Sequence, residues 1–96
     1  MTAKILRIME LALLLNPTKT EQEYTGEKPT VFAFFSGHIP DLTVDIHANG
    51  WKAGQRPDIT IQIYADGRYN SEKQADECIT FLESLLEKWG GVNAVR

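Results

Sequence analysis

The sequence predicts an α+β domain in which two helices pack against a three-stranded antiparallel meander, in the order α-β-β-β-α. Two observations support this fold class. Apolar and polar residues alternate over 42–48 and over 58–65, as they do in antiparallel strands with one face in water. Residues 3–15 and the segment that begins at Ser71 instead repeat their apolar residues every three to four positions, which is the period of a helix.

Length and composition indicate one globular domain. The chain has 96 residues, of which 43% are hydrophobic and 24% charged, close to the average for folded proteins. We therefore expect residues 1–96 to form a single domain. The formal net charge of -3 has the wrong sign for a general nucleic-acid binder, so nucleic acid is not an expected partner.

The cellular setting is predicted from the cysteine count and from the first segment of the chain. Cys78 is the single cysteine, so no intrachain disulfide can form, and a reducing, cytoplasmic setting is expected. The apolar run near the start is interrupted by Glu10 and is shorter than the roughly 20 residues of a membrane span. We interpret it as a helix of the fold, not as a signal peptide or an anchor.

The first helix, 3–15, has an apolar face and a charged face. Thr2 is a possible N-cap, and Pro17 ends the helix. Leu11 and Leu14 fall beside the charged residues, so we expect them to be an exposed apolar pair. The predicted buried stripe consists of Ile5, Ile8, Met9, Ala12 and Leu15, widened by Leu6 and Leu13, with Lys4, Arg7 and Glu10 opposite.

Residues 17–29 are polar and bracketed by prolines, which predicts a connector that lies against the body, with Tyr24 as a candidate anchor. At the other end of the chain, Ser71 is the predicted N-cap of the second helix, with Gln74 in the capping-box position. Gly90-Gly91 stops this helix, and residues 92–96 are expected to fray. Its apolar stripe comprises Ala75, Cys78, Ile79, Leu82, Leu85, Leu86 and Trp89.

The first predicted strand, Thr30–Ser36, is apolar on both faces. Phe32 and Phe34 point away from the helices, onto a face that the other two strands make polar. A simple meander places this strand at an edge, where uncovered phenylalanines are an aggregation hazard. Three explanations are open: the connector covers the face, the strand is central, or a second chain continues the sheet or stacks on it.

Chemistry-bearing patterns are few. Asp45 and His47 share the polar strand face and could orient a general base, but no ligand spacing accompanies them, so no catalytic residue, metal or cofactor is predicted. The loop from Gly50 to Pro57 is the best candidate contact loop because it combines Trp51 with two cations, Lys52 and Arg56. Alternatively, Trp51 folds back and plugs the end of the core.

The element order resembles that of the double-stranded RNA-binding domain, a family that grips phosphates with a basic helix start. Here the corresponding stretch, Ser71-Glu72-Lys73-Gln74-Ala75-Asp76-Glu77, carries net negative charge. RNA binding is therefore not carried over from this resemblance. In its size and general character the sequence also looks like the short accessory proteins of phages and mobile elements.

The predicted function is a non-enzymatic protein-interaction module that forms a homodimer and binds a protein partner whose identity is unknown. The alternatives are weak nucleic-acid binding through the Trp51 loop, or a small enzyme that uses Asp45 and His47. The predicted contact residues are Leu11, Leu14, Phe32, Phe34, Trp51, Lys52 and Arg56.

Overall fold

The computed structural model describes residues 1–16, 29–51 and 54–90, with side chains to residue 88, and confirms the predicted α+β order. Predictions for the connector at 17–28, for Lys52 and Ala53, for the side chain of Trp89 and for the tail lie outside the described residues. No helix in the described part of the chain is both long enough and apolar enough to cross a bilayer. The elements are α1 (Thr2–Leu15), β1 (Thr30–Ser36), β2 (Asp41–His47), β3 (Ile59–Tyr64) and α2 (Ser71–Leu85), which continues as a π-helical turn, Leu86–Gly90.

The three strands form an antiparallel meander in the order β1-β2-β3. Val44 lies opposite Ala33 on one side and Ile61 on the other, so the apolar positions of all three strands share one face. Both helices pack on this face, α1 over β1 and α2 over β3, and they also contact each other. The buried core consists of Ile8, Leu11, Ala12, Leu15, Val31, Leu42, Val44, Ile46, Ile63, Ala75, Cys78, Leu82 and Leu85.

The orientation of α1 differs from the prediction. Leu11 is 0% exposed and lies in the core, and Leu14 is partly buried, so the predicted exposed pair is wrong. The reason is that α1 packs against α2 as well as against the sheet. A helix in the angle between a sheet and a second helix buries a wider arc than one apolar stripe.

The charged side of α1 faces α2 for the same reason. The ammonium group of Lys4 lies 2.8 Å from the Asp76 carboxylate, and Arg7 donates a 2.9 Å hydrogen bond to Glu83. These contacts raise the pKa of both cations, with Asp76 the largest cause for Lys4 and Glu83 for Arg7. Lys4 and Arg7 therefore mark the border between the helices, where their charges are paired, and not the face that points to solvent.

Three apolar residues of α1 remain exposed instead. Leu6 and Leu13, predicted to widen the buried stripe, are largely exposed, and Met9 is more than one third exposed. Since the helix turns about 100° per residue, Leu13 points roughly 160° away from Leu11, which lies in the core. We call Leu6, Met9 and Leu13 the outer α1 face.

The start of α2 also differs from the predicted capping box. The N-cap residue is Asn70, in the left-handed region with φ 58°, and it follows Tyr69 with φ 57°. Ser71 is the first helical residue and is fully buried. Its hydroxyl accepts a 2.8 Å hydrogen bond from the N–H of Tyr64 and donates one to the carbonyl of Arg68, so it ties β3 to the helix start and does not cap the helix.

Candidate interaction site on the open sheet face

The sheet face opposite the helices presents a group of aromatic side chains at its β1 side. The ring of Phe32 stacks 6.4 Å from that of Phe34, and it meets the rings of His47 and Trp51 edge-on at 5.6 and 6.4 Å. We call these four residues the aromatic cluster. Phe34 is 56% exposed and Trp51 is 38% exposed, whereas Phe32 is partly covered by its neighbours.

The remainder of this face is polar, and its side chains bond to one another. Thr60 donates a 2.9 Å hydrogen bond to Asp45, and Gln62 donates a 2.7 Å hydrogen bond to Asp41. Each bond joins residues on the neighbouring strands β2 and β3. These two bonds satisfy four side chains of the polar half internally, and the aromatic half is not covered by any described residue.

Trp51 was predicted either to be an exposed contact residue or to plug the end of the core, and its position fits neither prediction fully. It does not enter the core between the helices and the sheet; it packs on the opposite face against Phe32 and leaves part of its ring exposed. Asp58 anchors the loop, because its carboxylate accepts a 2.7 Å bond from the N–H of Ala48 and its own N–H donates to Ile46. Arg56 is exposed.

Asp45 and His47 make separate contacts. The Asp45 carboxylate accepts a hydrogen bond from Thr60, while His47 is buried and packs against Phe32. No described hydrogen bond joins the two side chains. Among the described residues there is also no cluster of three or more His, Cys, Asp or Glu that could hold a metal ion.

The open edge of β1 is partly closed by Asn16, the C-cap residue of α1. The side-chain amide of Asn16 accepts a 2.7 Å hydrogen bond from the N–H of Val31 and donates a 2.8 Å bond to its carbonyl. The backbone groups of Val31 therefore point outward, away from β2. Since this direction alternates along a strand, those of Ala33 and Phe35 also point outward.

Five of the seven predicted contact residues fall into two groups in space. Phe32, Phe34 and Trp51 belong to the aromatic cluster. Leu11 and Leu14 lie on the other side of the sheet, on α1. Single-sequence reasoning missed the outer α1 face and Asn16, and no signal marks either, because both depend on where α1 settles.

Cys78 is buried in the core, and burial raises the pKa of its thiol from 9.0 to about 11. The native state thus keeps a proton that the unfolded chain loses above about pH 9, so stability is full below that pH and declines as the pH rises toward 11. We expect the unfolding free energy to fall about 1 kcal/mol further between pH 8 and pH 10 than in Cys78→Ala. Urea unfolding at each pH measures this difference, and parallel pH profiles would contradict it.

A shallow depression lies on the outer side of α2. It has a volume of about 380 Å³ and is lined by Asp76, Glu77, Thr80, Phe81 and Ser84. Phe81 packs against the core from this side. The carboxylates of Asp76 and Glu77 make the start of α2 acidic, as the sequence indicated. They disfavour the binding of an anion in this depression.

Comparison of the chain with protein-family models, curated proteins and solved structures finds no match. The candidate site therefore has to be interpreted from its own geometry.

Proposed function

We propose that this protein is a non-enzymatic protein-interaction domain that acts as a homodimer, in which two copies stack the sheet faces that carry the aromatic cluster. The observation that supports this proposal most directly is the exposure of Phe34 and Trp51 beside Phe32 on an otherwise polar face. Exposed aromatic residues that pack on one another are typical of the energetic centre of an interface.

Stacking is favoured over a continued sheet by the position of α1. If β1 paired directly with the β1 strand of a second copy, the paired residues would be those whose backbone groups point outward. The side chains of these residues all lie on the helix side, so the helices of the two copies would lie on the same side of the joined sheet. The two α1 helices, each over its own β1, would then be separated by about one strand spacing, ~4.8 Å. Packed helix axes need about 8–10 Å. Stacking of the opposite faces brings no helices together.

The carboxylates on the polar half of the face already have hydrogen-bond donors. Asp45 and Asp41 already accept hydrogen bonds from Thr60 and Gln62, so covering them leaves fewer groups without partners. Burial of one phenylalanine contributes about 1.5–3 kcal/mol. Phe34 is 56% and Trp51 38% exposed, so covering both in two copies contributes on the order of 4–5 kcal/mol. Micromolar association corresponds to about 8 kcal/mol net, so the rest of the stacked face has to supply the remainder.

We expect Phe34→Ser to weaken the dimer at least tenfold, equivalent to about 1.4 kcal/mol. Sedimentation equilibrium over a range of micromolar concentrations measures this change. Phe35→Ser is the matched control, because Phe35 is 58% exposed and adjacent in the chain but points to the helix side of β1. It should leave the dimer unchanged.

The proposal fails if the wild-type protein is a monomer at these concentrations. Equal weakening by the two serine variants would mean that the copies associate through the β1 edge and not through the open face. Circular dichroism of both variants checks that each is folded before the comparison is made.

We further propose that the domain works in the cytoplasm, where a reducing environment keeps the buried thiol of Cys78 free. An accessory role in a phage or mobile element stays a prediction. Nucleic-acid binding through Trp51 and Arg56 also stays a prediction. It is less favoured because the carboxylates of Asp45 and Asp58 lie on the same part of the molecule and would repel phosphate.

A further inference from the structure

The open edge of β1 has backbone groups positioned to pair with another strand. Ala33 and Phe35 point their N–H and carbonyl groups outward, and no described residue bonds to them. The ladder between β2 and β3 gives the same direction. The N–H of Ala65 donates to the carbonyl of Pro40 at one end of this ladder, so the even-numbered residues of β2 bond to β3 and its odd-numbered residues bond to β1. The odd-numbered residues of β2 pair with even-numbered residues of β1, which leaves Ala33 and Phe35 facing outward.

We propose that this edge binds an extended, uncharged segment of another protein, which adds a fourth strand beside β1 and beneath the outer α1 face. Strand addition to a sheet edge is a general mode of peptide recognition, in which main-chain bonds supply affinity and side-chain contacts supply specificity. This inference names a partner class for the proposed interaction domain and so rests on that function, but it does not depend on the dimer.

The outer α1 face supplies the wall of the groove. Lys4 pairs with Asp76 on α2, so its side of the helix faces α2. Leu6, Met9 and Leu13 lie about 140–180° round the helix from Lys4 and therefore point away from α2. With α1 over β1 and α2 over β3, that direction leads past the β1 edge. Two helices side by side span about 20 Å, whereas three strands about 4.8 Å apart span about 14 Å. From these dimensions we expect α1 to overhang the edge by a few ångströms.

Because of this overhang, a single extended strand can reach the β1 edge, but the edge strand of a folded domain that carries its own helix cannot. An added strand lies one spacing from β1, under the side chains of Leu6, Met9 and Leu13. A domain that brings a helix above its edge strand would place that helix within α1. The entering segment is thus a strand that is free on its helix side, such as an extended tail or loop.

The chemistry of the groove defines the segment. β1 contains no charged residue, unlike edge strands that are protected by lysine, and the outer α1 face contains none either. Side chains entering on the helix side meet Leu6, Leu13 and Phe35, and those on the other side meet Phe34. Apolar β-branched or aromatic residues therefore suit both faces, and proline is excluded wherever an N–H must pair with Ala33 or Phe35.

Asn16 limits the length of the pairing. Its side chain occupies the outward groups of Val31, so the added strand pairs with Ala33 and Phe35 and continues past Ser36, not toward Thr30. Two paired residues of β1 supply up to four main-chain hydrogen bonds. Affinity then depends on the apolar contacts with the outer α1 face.

The test selects binders from a phage-displayed library of random nine-residue peptides against the wild-type protein. We expect the enriched peptides to be uncharged over a stretch of about five residues and to lack proline there. A synthetic copy of an enriched peptide should bind Leu13→Glu at least tenfold more weakly than wild type. Ala3→Glu, which adds the same charge to the solvent side of α1, should change its affinity less than twofold.

Amide hydrogen exchange measured by NMR locates the peptide. In the free protein, the amides of Ala33 and Phe35 should exchange much faster than those of Phe32 and Phe34, which bond to β2. Addition of the peptide should slow Ala33 and Phe35 at least tenfold. If the peptide bound only by apolar contacts, without pairing to the strand, the amides of Ala33 and Phe35 would not be protected from exchange.

Three results would overturn the inference. The first is slow exchange of Ala33 and Phe35 in the free protein, which would mean that the edge is already paired by this chain or by a second copy. The second is a failure to enrich any peptide, and the third is equal binding to Leu13→Glu and wild type. Sedimentation of Leu13→Glu separates the two proposals, since loss of peptide binding with an intact dimer rejects only the strand site.

Discussion

Leu11→Ala is expected to lower the free energy of unfolding by about 3 kcal/mol, within the range of 2–5 kcal/mol found for truncating a fully buried leucine. Leu11 is 0% exposed and lies where α1 meets α2 and the sheet. Its removal leaves a cavity bordered by two helices, which cannot collapse without moving their axes. Urea denaturation of the wild type and the variant measures the loss directly.

Leu13→Ala is the control for this experiment. It makes the same chemical change two positions along the same helix, but Leu13 is 66% exposed, so the unfolding free energy should change by no more than about 0.5 kcal/mol. The reverse ranking, with Leu13 the costlier truncation, would restore the orientation of α1 that the sequence suggested. It would also remove the wall of the proposed strand site.

The strands were predictable because their signal is local. Alternation with a period of two assigns Val44, Ile46 and Ile63 to one face without any knowledge of the tertiary contacts, and a one-residue slip would expose all of them. Short connections between neighbouring strands then favour a meander. The bounds predicted for β1, Thr30–Ser36, agree with the structure, and those of β2 and β3 agree within one residue.

The orientation of α1 was not predictable in the same way. Nearly every non-charged residue of this helix is apolar, so several stripes fit its pattern equally well. Lys4 and Arg7 were interpreted as facing solvent, yet Lys4 pairs with Asp76 and Arg7 pairs with Glu83 as well as with Glu10; Asp76 and Glu83 both lie on α2. A single sequence carries no signal for such a pairing, which exists only after the helices have docked.

The candidate site shows the same division. The outward direction of Phe32 and Phe34 followed from strand alternation and is observed. The contact between Phe32 and Trp51 depends on the path of a loop, and the bonds between Asn16 and Val31 depend on where a helix ends in space. A side chain that bonds to the backbone of a distant segment, as Asn16 does, therefore cannot be identified from the sequence alone.

Asn16→Ala should lower the unfolding free energy by about 2 kcal/mol. The substitution removes two hydrogen bonds to Val31, each of which contributes about 0.5–1.5 kcal/mol. Denaturation with urea measures the loss. Asn49→Ala, which truncates an exposed asparagine in the turn after β2, is the matched control and should cost no more than about 0.5 kcal/mol.

The same variant separates two roles of Asn16. If its amide only fastens α1 to β1, Asn16→Ala loses stability and the amide of Val31 exchanges faster, with no effect on peptide affinity. If it also limits strand addition, the variant frees a third outward-facing residue, so a longer peptide strand should pair with Val31 and slow its exchange again. Unchanged stability and an unchanged Val31 exchange rate would show that the side chain of Asn16 does not occupy the edge in solution.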